Sequence, residues 1–433
     1  KVNFLKYLDR RGPDSFKEVS WLNSYSIHSR LSITGEKDQP LNDSEKILLY
    51  NGEIYNDWKK YKKDYGDLDF LNKFIKKNNF SNFKKLDGEY AIILLEKKKK
   101  TLHLITDTFG TKPLYYAILK NKLYVASYDQ TLFDLNIKRN KVKGVRANTH
   151  IKIDFRKKLK ETKKFPLKRF NFKPVKKTTY KDFEKNFVQS IKKRSQNVQK
   201  KISVPLSSGI DSGLIAAVLN KFKINFTSYI FEKGEILKIL KIRKKILKEN
   251  KKNIVVNIKF NSSENLKVRK FLMRQAPFYN WNIDYKPYSH DDYRFNTGIT
   301  ALGKICDLSR KNKNLILLSG QGGDEIISDY YNVTSNSRRS CFKGNWKLAT
   351  KPWKNFYDGW NAAHLAAIER VAGAYGIETR YPFLDFDLIQ SFLALPTHLK
   401  AKVYKAPMVE ILKNLKFPYH DLKIGFTQNV TFK

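Results

Sequence analysis

The sequence predicts two globular domains: a mostly β first region, then a doubly wound α/β sheet that leads into a helical C-terminal part. Three observations predict this order. Short apolar runs crowd the first third of the chain, apolar strands alternate with helical segments in the middle, and helix-like patterns dominate from about residue 345. A length of 433 residues suits two such domains.

Apolar runs of strand length, separated by polar turns, predict the β region. These runs lie at 47–51, 89–96, 101–106 and 122–127. Residues 157–180 are Lys-rich, contain two prolines and have no periodicity, which is typical of a linker. We therefore predict domains at 1–165 and 181–433, joined by a linker at 166–180.

The alternation that predicts the α/β region begins after this linker. Its helical stretches lie at 181–197, 213–222 and 236–249, and its apolar strands at 202–206, 227–231, 253–258 and 315–319. Strands that alternate with helices form parallel sheets with crossover helices.

Composition argues against several classes of protein. No apolar run reaches the 18 residues of a membrane span, and the first residues lack the pattern of a signal peptide. Cys306 and Cys341 form no CxxC pair, so neither a zinc ribbon nor an iron–sulfur cluster is expected. A cytoplasmic setting and no membrane partner are predicted.

The formal charge of +44 suggests a nucleic-acid partner at first. Lysines outnumber arginines about four to one, however, and they are dispersed along the chain. Nucleic-acid readers rely more on the planar fork of arginine. We therefore expect small-molecule substrates and no nucleic acid, with a homodimer left open.

The segment VPLSSGIDSGLIAAVL at 204–219 leads from a strand through a tight turn into a helix. The N–H groups at such a helix start bind anions, Gly209 allows close approach, and Ser207, Ser208 and Ser212 add hydroxyl donors. Asp211 would repel a bare phosphate, so we expect Mg²⁺ to bridge it to pyrophosphate. The alternative interpretation is an ordinary capped helix start.

A second turn makes that alternative weaker. LILLSGQGGDEIISDYY at 315–331 is another apolar strand that ends in a Gly-rich turn with carboxylates, among them Asp324. The carboxyl ends of parallel strands share one edge of the sheet. Asp211 and Asp324 are therefore expected to hold one Mg²⁺–pyrophosphate between them.

Several segments resemble those of the asparagine synthetase family, in the family's order and over nearly the whole chain. SSGIDS resembles the SGGxDS loop of the ATP-pyrophosphatase superfamily. The other matching segments are RRGPDS (10–15), HSRLSITG (28–35), LYNGEIYN (49–56), LDGEYAIILLE (86–96), TDTFGTKPLYY (106–116), LLSGQGGDE (317–325) and GIETRYPFLD (376–385).

This resemblance implies an N-terminal-nucleophile αββα sandwich followed by a synthetase domain. The first domain would hydrolyse glutamine and pass ammonia through an internal tunnel. The second would adenylate a carboxylate with ATP and Mg²⁺, release pyrophosphate and let ammonia attack the acyl-adenylate. A carboxylate needs such activation because its oxygen is otherwise a poor leaving group, and the departing pyrophosphate needs charge neutralisation.

The resemblance also implies roles for individual residues. Arg30 would bind the glutamine carboxylate, Glu53 and Asp67 its amino group, and the Asn51 side chain with the Gly52 N–H would form the oxyanion hole. Lys405 would stabilise charge at the adenylating centre. The pyrophosphate site would comprise Ser207, Ser208, Gly209, Asp211, Ser212, Ser319 and Gly320, with Gln321 beside the acceptor.

Three departures from the family pattern raise open points. The family's nucleophile is an N-terminal cysteine, whereas this sequence starts at Lys1; we expect the full-length protein to begin Met-Cys, the alternative being an inactive glutaminase. Ser208 replaces a glycine. Gln321 replaces a glutamate, which puts aspartate as the acceptor in doubt.

The functional alternatives therefore stay open. The first prediction is a glutamine-dependent amide ligase that acts on aspartate or another acid. A sugar acid or a specialised metabolite is the alternative acceptor. A tRNA-modifying enzyme with the same loop is the second alternative, and a non-catalytic scaffold is the third.

Overall fold

The computed structural model describes residues 6–62, 65–77, 80–156, 159–164, 166–198, 200–276, 282–283, 286–287, 297–331 and 339–421. Within these ranges, no helix is both long enough and apolar enough to cross a bilayer. Lys1 and the residues after Asp421 lie outside them.

The apolar runs of the first region pair into a six-stranded antiparallel sheet, in the order β11-β10-β6-β5-β4-β3. The predicted runs at 47–51, 89–96 and 101–106 become its three central strands. The strands are β3 (Leu41–Asn42), β4 (Lys46–Ile54), β5 (Gly88–Glu96), β6 (Thr101–Thr106), β10 (His150–Asp154) and β11 (Lys160–Lys164).

Among its described residues, this region also contains two smaller antiparallel sheets and two α-helices. One sheet is a two-stranded hairpin and the other has the order β8-β7-β9. These elements are β1 (Ser15–Trp21), β2 (Ser24–Arg30), β7 (Tyr115–Leu119), β8 (Lys122–Ala126), β9 (Lys143–Gly144), α1 (Asp67–Lys77) and α2 (Asp129–Asp134).

Side-chain alternation along β4 places an apolar core on each face of the large sheet. Leu48 and Tyr50 pack with Leu71 of α1, whereas Ile47 and Leu49 pack with residues of β7. A further cluster joins the outer face of the small sheet to α2. The layers therefore run α1, large sheet, small sheet, α2.

The Lys-rich segment 157–180 is only partly a linker. Lys160–Lys164 pair with β10 as the edge strand β11, so the prediction of irregular structure is wrong there. Lysine is well tolerated at a sheet edge, where its charge discourages pairing with other chains. Among the described residues of 166–180 no helix or strand occurs, but the Val175 N–H donates to the Ala394 carbonyl at 2.9 Å.

The second region contains the predicted parallel sheet, in the order β14-β13-β12-β17-β18. The sequence missed β18, which lies within the part predicted to be mainly helical. The strands are β12 (Ile202–Pro205), β13 (Phe226–Ile230), β14 (Ile254–Asn257), β17 (Ile316–Leu318) and β18 (Glu378–Arg380), with a separate hairpin of β15 (Asn282–Ile283) and β16 (Lys286–Pro287).

Helices surround this sheet and share its large apolar core. The three predicted helical stretches correspond to α3, α4 and α5. The helices are α3 (Lys181–Ser195), α4 (Ile210–Lys221), α5 (Leu237–Glu249), α6 (Ser262–Gln275), α7 (Thr297–Lys311), α8 (Lys354–Tyr357), α9 (Gly359–Ala374), α10 (Phe386–Leu393), α11 (Thr397–Lys400) and α12 (Ala406–Asn414). The chain is thus mixed α and β with a parallel sheet in its second half.

Candidate active site

The two Gly-containing turns lie side by side because β12 and β17 are neighbours in the parallel sheet. Ile202 pairs with Ile316, and Ser203 pairs with Leu317. The turns follow the carboxyl ends of these strands, at the edge where ligands bind in open α/β sheets.

The first turn is held together by its own hydroxyl groups. The Ser207 N–H donates to Ser212 Oγ at 3.0 Å, the two serine Oγ atoms are 2.8 Å apart, and the Gly209 N–H donates to Ser207 Oγ at 3.1 Å. Gly209 precedes the first residue of α4, so the positive end of that helix faces the turn. Ser207, Gly209 and Ser212 therefore lie together, as predicted.

Ser208 does not fit its predicted role as a phosphate donor. The side chain is fully buried, and its hydroxyl donates to the Glu235 carboxylate. The Ser208 N–H donates to the same carboxylate oxygen at 2.6 Å, and the Ile236 N–H donates to Ser208 Oγ at 3.2 Å. Both Ser208 donors thus bind a protein carboxylate whose position was not predicted from the sequence.

Lys405 joins the two predicted metal-binding aspartates. Its Nζ lies 2.6 and 2.7 Å from the two carboxylate oxygens of Asp211, and 2.8 Å from Oδ1 of Asp324. The Tyr404 hydroxyl donates to the same oxygen of Asp324 at 2.8 Å. Three predicted site residues therefore converge on one point between the two turns.

The charges at this point favour an ion pair at neutral pH. Burial raises the pKa of Asp211 to about 6; the charge of Lys405 opposes this rise, and the charge of Asp324 adds to it more weakly. Burial alone would lower the pKa of Lys405, but the two aspartates outweigh it and hold that pKa well above its usual range. Lys405 is therefore a cation and Asp211 an anion at pH 7.

Glycine in the second turn allows the close approach of Asp211. A Cβ on Gly320 would lie 2.9 Å from the Asp211 Cβ, and one on Gly323 would overlap the Asp211 carboxylate. Ser319 is buried beside them and accepts a hydrogen bond from the Gln321 N–H through its Oγ at 3.2 Å. The spacing of small residues in SGQGGDE thus has a steric cause.

Gln321 is buried in the same turn and is held through its carboxamide. Its Nε2 donates to the Asn361 Oδ1 at 3.1 Å, and Asn361 in turn donates to the Phe356 carbonyl at 3.3 Å. A neutral amide can make this contact with Asn361 as oriented, whereas a carboxylate cannot donate.

Two sets of supporting contacts, those of Arg243 and those between Glu325 and His364, were not predicted from the sequence. Arg243 is fully buried and donates to the carbonyls of Ser207 at 2.5 Å, Gly209 at 2.9 Å and Pro418. Glu325 accepts from the Gly322 N–H at 2.8 Å and contacts His364 at 3.2 Å. Arg243 and His364 stand far from either turn in sequence, so no local pattern identified them.

A second pocket lies in the first region and contains all the residues predicted to bind glutamine. Arg30 donates to the carbonyls of Thr34 at 3.1 Å, Gly35 at 2.6 Å and Glu36 at 3.2 Å. These contacts orient its guanidinium. The lining includes Arg30, Asn51, Gly52, Glu53 and Asp67, together with Ile377 and Glu378 of the second region.

The carboxylates of this pocket lie near one threonine. The Thr34 hydroxyl donates to Asp67 at 2.9 Å and lies 3.5 Å from both oxygens of Glu53. Asp67 also accepts from the N–H groups of Ile54 at 3.3 Å and Leu68 at 2.8 Å. Two neighbouring carboxylates form a site that favours an ammonium group.

Asn51 and Gly52 also line this pocket. The Nδ2 of Asn51 is buried with no hydrogen-bond partner among the described residues, while its Oδ1 lies 3.4 Å from Arg11. A buried amide without a partner is costly, so this group is available to donate to a ligand oxygen. Gly52 has φ 121°, and a Cβ there would overlap the Glu89 carbonyl oxygen.

Buried ion pairs connect the two regions beside this pocket. Glu369 of α9 lies 2.7 Å from Lys112 and 2.7 Å from Arg11. Burial would raise the pKa of Glu369, but the charges of Lys112 and Arg11 outweigh it and lower that pKa to about 2. Arg380 pairs with Glu378 at 2.7 Å and with Glu53 at 2.9 Å.

Known proteins are similar in sequence to this chain over most of its length. A glutamine amidotransferase domain family matches residues 2–181. The chain is 25% identical over 98% of its length to the glutamine-hydrolysing asparagine synthetase 1 assigned in Methanocaldococcus jannaschii, covering 82% of that protein. It is 24% identical to the Homo sapiens asparagine synthetase, covering 90% of this chain and 73% of that one.

A solved structure of glutamine phosphoribosylpyrophosphate amidotransferase from B. subtilis aligns with 84% of this chain and 79% of its own. The identity is 12% and the TM-score is 0.25, so nothing is inferred from this likeness.

Proposed function

Because this chain carries a glutamine amidotransferase domain and is related over nearly its whole length to glutamine-hydrolysing asparagine synthetases, we propose that it is an ATP-dependent carbon–nitrogen ligase with glutamine as amido donor. One observation carries the proposal. A pocket suited to glutamine and a pair of pyrophosphate-type turns occur in one chain, and buried ion pairs join the regions that contain them.

We assign the glutaminase reaction to residues 1–165, with an N-terminal-nucleophile αββα fold. The layer order of α1, two sheets and α2 supports this assignment. Arg30 would bind the glutamine carboxylate, and Glu53 with Asp67 its ammonium. The unpartnered Asn51 Nδ2 and the Gly52 N–H would stabilise the oxyanion that forms when a thiolate attacks the amide carbon.

We assign the synthetase reaction to residues 181–433. An acceptor carboxylate oxygen would attack the α-phosphorus of ATP, the bond to pyrophosphate would break, and ammonia would then displace AMP from the acyl carbon. Ser207, Gly209, Ser212, Ser319 and Gly320 would contact phosphate oxygens, because they line the two turns. Lys405 would neutralise charge on the phosphoryl group.

The carboxylates of Asp211 and Asp324 fit a Mg²⁺ ion that ATP brings with it. No group of three metal-ligating side chains occurs among the described residues, and Mg²⁺ in nucleotide sites is held by one or two carboxylates plus phosphate oxygens. Both aspartates already share one cation, the Lys405 ammonium. Bound there, Mg²⁺ would supply charge neutralisation for the leaving pyrophosphate.

The identity of the nucleotide products tests this function. With ammonia as nitrogen source and a panel of carboxylic acids, we expect AMP and pyrophosphate to form only when an acceptor acid is present. Ammonia makes the test independent of the glutaminase nucleophile. ADP and phosphate as the sole nucleotide products would contradict the synthetase assignment.

The acceptor acid follows from Gln321. A carboxylate in its place would favour the α-ammonium group of aspartate, but the Gln321 amide is neutral and already bonded to Asn361. Losing one charge-assisted hydrogen bond costs about 1.5–3 kcal/mol, which is on the order of a ten- to hundredfold loss. We therefore propose that a neutral or hydroxylated acid, such as a sugar acid, is preferred to aspartate.

Gln321→Glu should raise kcat/KM for aspartate by about ten- to a hundredfold. Asn361 can present its amide to the new carboxylate by rotating its side chain. The measurement is ammonia-dependent pyrophosphate release with aspartate as sole acceptor. Equal kcat/KM in both proteins would show that this charge does not set the acceptor and would favour asparagine synthesis.

A cytoplasmic setting is supported by two free cysteines, of which Cys306 is buried.

A tRNA-modifying enzyme remains the second candidate, because a pyrophosphate-type turn is common to such enzymes and to the proposed ligase. Binding of tRNA that persists across a salt series would favour it.

A further inference from the structure

Glu53 receives its counterion from the other region of the chain. Its Oε1 lies 2.9 Å from the Arg380 guanidinium, and both side chains are almost completely buried. We propose that Arg380 is a positioning residue for the glutamine site, which supplies the counterion of Glu53 and orients its carboxylate for the substrate ammonium. This inference rests on the proposed function and assigns part of the glutamine site to the synthetase region.

Arg380 is itself firmly anchored. Its Nε donates to the Glu378 carboxylate at 2.7 Å, and one terminal nitrogen donates to the Arg194 carbonyl at 3.0 Å. These contacts fix the guanidinium plane, and β18 fixes the backbone through pairing with β17. Arg380 therefore offers Glu53 a charge whose position is set by the second region.

The β4–β5 pairing shows why such a charge is needed. Glu53 lies directly opposite Glu89 in the antiparallel register, and like charges in directly opposed positions repel. Arg194 pairs with Glu89 at 2.7 Å, just as Arg380 pairs with Glu53. Two arginines of the second region thus neutralise two adjacent glutamates of the first.

The two carboxylate oxygens of Glu53 have different surroundings. The Thr34 hydroxyl lies 3.5 Å from both oxygens, a distance too long for a strong hydrogen bond, and Oε1 alone also lies 2.9 Å from Arg380. We assign Oε2 to the glutamine ammonium. Burial raises the pKa of Glu53 well above its usual range, and the charge of Arg380 is the strongest influence that opposes this rise. Without Arg380 the pKa would rise further and stabilise the neutral carboxyl, which attracts an ammonium far less.

Calorimetric titration with L-glutamine tests the inference without relying on turnover. We expect Arg380→Met to raise the Kd at least tenfold and Arg380→Lys to raise it less, because lysine keeps the charge but loses the fork. Ammonia-dependent pyrophosphate release should stay within threefold of the unaltered protein in both variants, which shows that the synthetase region is folded.

Arg370→Met is the matched control. Arg370 is also buried and also pairs across the two regions, but its partner, Asp129 of α2, does not line the glutamine pocket, whereas Glu53, the partner of Arg380, does. The Kd of the Arg370→Met variant for glutamine should stay within twofold of that of the unaltered protein. A purely structural role for buried arginines would instead raise both Kd values alike, and that result would overturn the inference.

A double variant separates action through Glu53 from a general effect. Adding Arg380→Met to Glu53→Gln should raise the Kd by less than twofold beyond Glu53→Gln alone. A further tenfold rise would overturn the inference. An unchanged Kd in Arg380→Met would overturn it while leaving the proposed function intact, whereas no glutamine binding by the unaltered protein would contradict both.

Discussion

Lys405→Met should lower ATP–pyrophosphate exchange by at least about a hundredfold, the loss found when one donor to a developing charge is removed. The Nζ of Lys405 meets Asp211 at 2.6 Å and Asp324 at 2.8 Å, so the substitution leaves two facing carboxylates without that cation. The repulsion then also disfavours the approach of nucleotide phosphates. Exchange should be measured with saturating acceptor acid.

Lys402→Met provides the control for this substitution. Lys402 is exposed and lies three residues earlier in the same segment. It should retain exchange within twofold and the same thermal midpoint. If Lys405→Met kept exchange within threefold of the unaltered protein, Lys405 would be a structural partner of Asp211 and no more.

Glu369→Ala should lower the free energy of unfolding by about 3–5 kcal/mol, the cost of leaving a buried ion unpaired. Lys112 and Arg11 would both lose their carboxylate partner at 2.7 Å, and the Tyr381 hydroxyl would lose its acceptor at 2.8 Å. Lys112 and Glu369 are each about 1% exposed, so water cannot replace the missing partner. Urea unfolding would measure the change.

The pair of Arg146 and Asp358 gives a matched control, because it also joins the two regions but has side chains 56% and 44% exposed. Exposed pairs contribute about 0–1 kcal/mol, so Asp358→Ala should change stability little. Equal losses in Asp358→Ala and Glu369→Ala would contradict the importance of burial.

The effect of Glu369 should also depend on pH with a defined sign. The folded-state pKa is lowered to about 2, whereas an unfolded glutamate has a pKa of about 4.3. The carboxylate therefore contributes its full stability above about pH 4.3, and the contribution is lost as pH falls toward 2. The difference in stability between the unaltered protein and Glu369→Ala should shrink over that range.

The parallel sheet and its two turns could be predicted because their signals are local. Apolar runs such as 227–231 and 315–319 need only their own residues to be identified as strands, and both became strands. The small residues around Asp324 likewise form one continuous segment. Asp211 and Asp324 were predicted to lie close together because both follow strands that share one sheet edge. The placement of Lys405 at the same site was implied by the resemblance to a known family.

What the sequence missed depends on residues that are distant in the chain. β18 is three residues long, too short for a periodic pattern, and its partner is β17. Ser208 was predicted to donate to phosphate. In the structure, its N–H and its hydroxyl both donate to Glu235, which lies 27 positions away in the chain. The edge strand β11 was also missed because it is rich in lysine, and the sequence of a charged edge strand resembles that of a solvated loop.

The contact between Glu53 and Arg380 has a consequence during protein synthesis. The lining of the glutamine pocket comes mainly from residues 11–69, but Arg380 leaves the ribosome roughly 300 residues after Glu53. At about 5–20 residues per second, that interval lasts roughly 15–60 s. A nascent chain would lack this counterion of Glu53 throughout, so the proposed glutamine site would reach its full affinity only after the second region has been made.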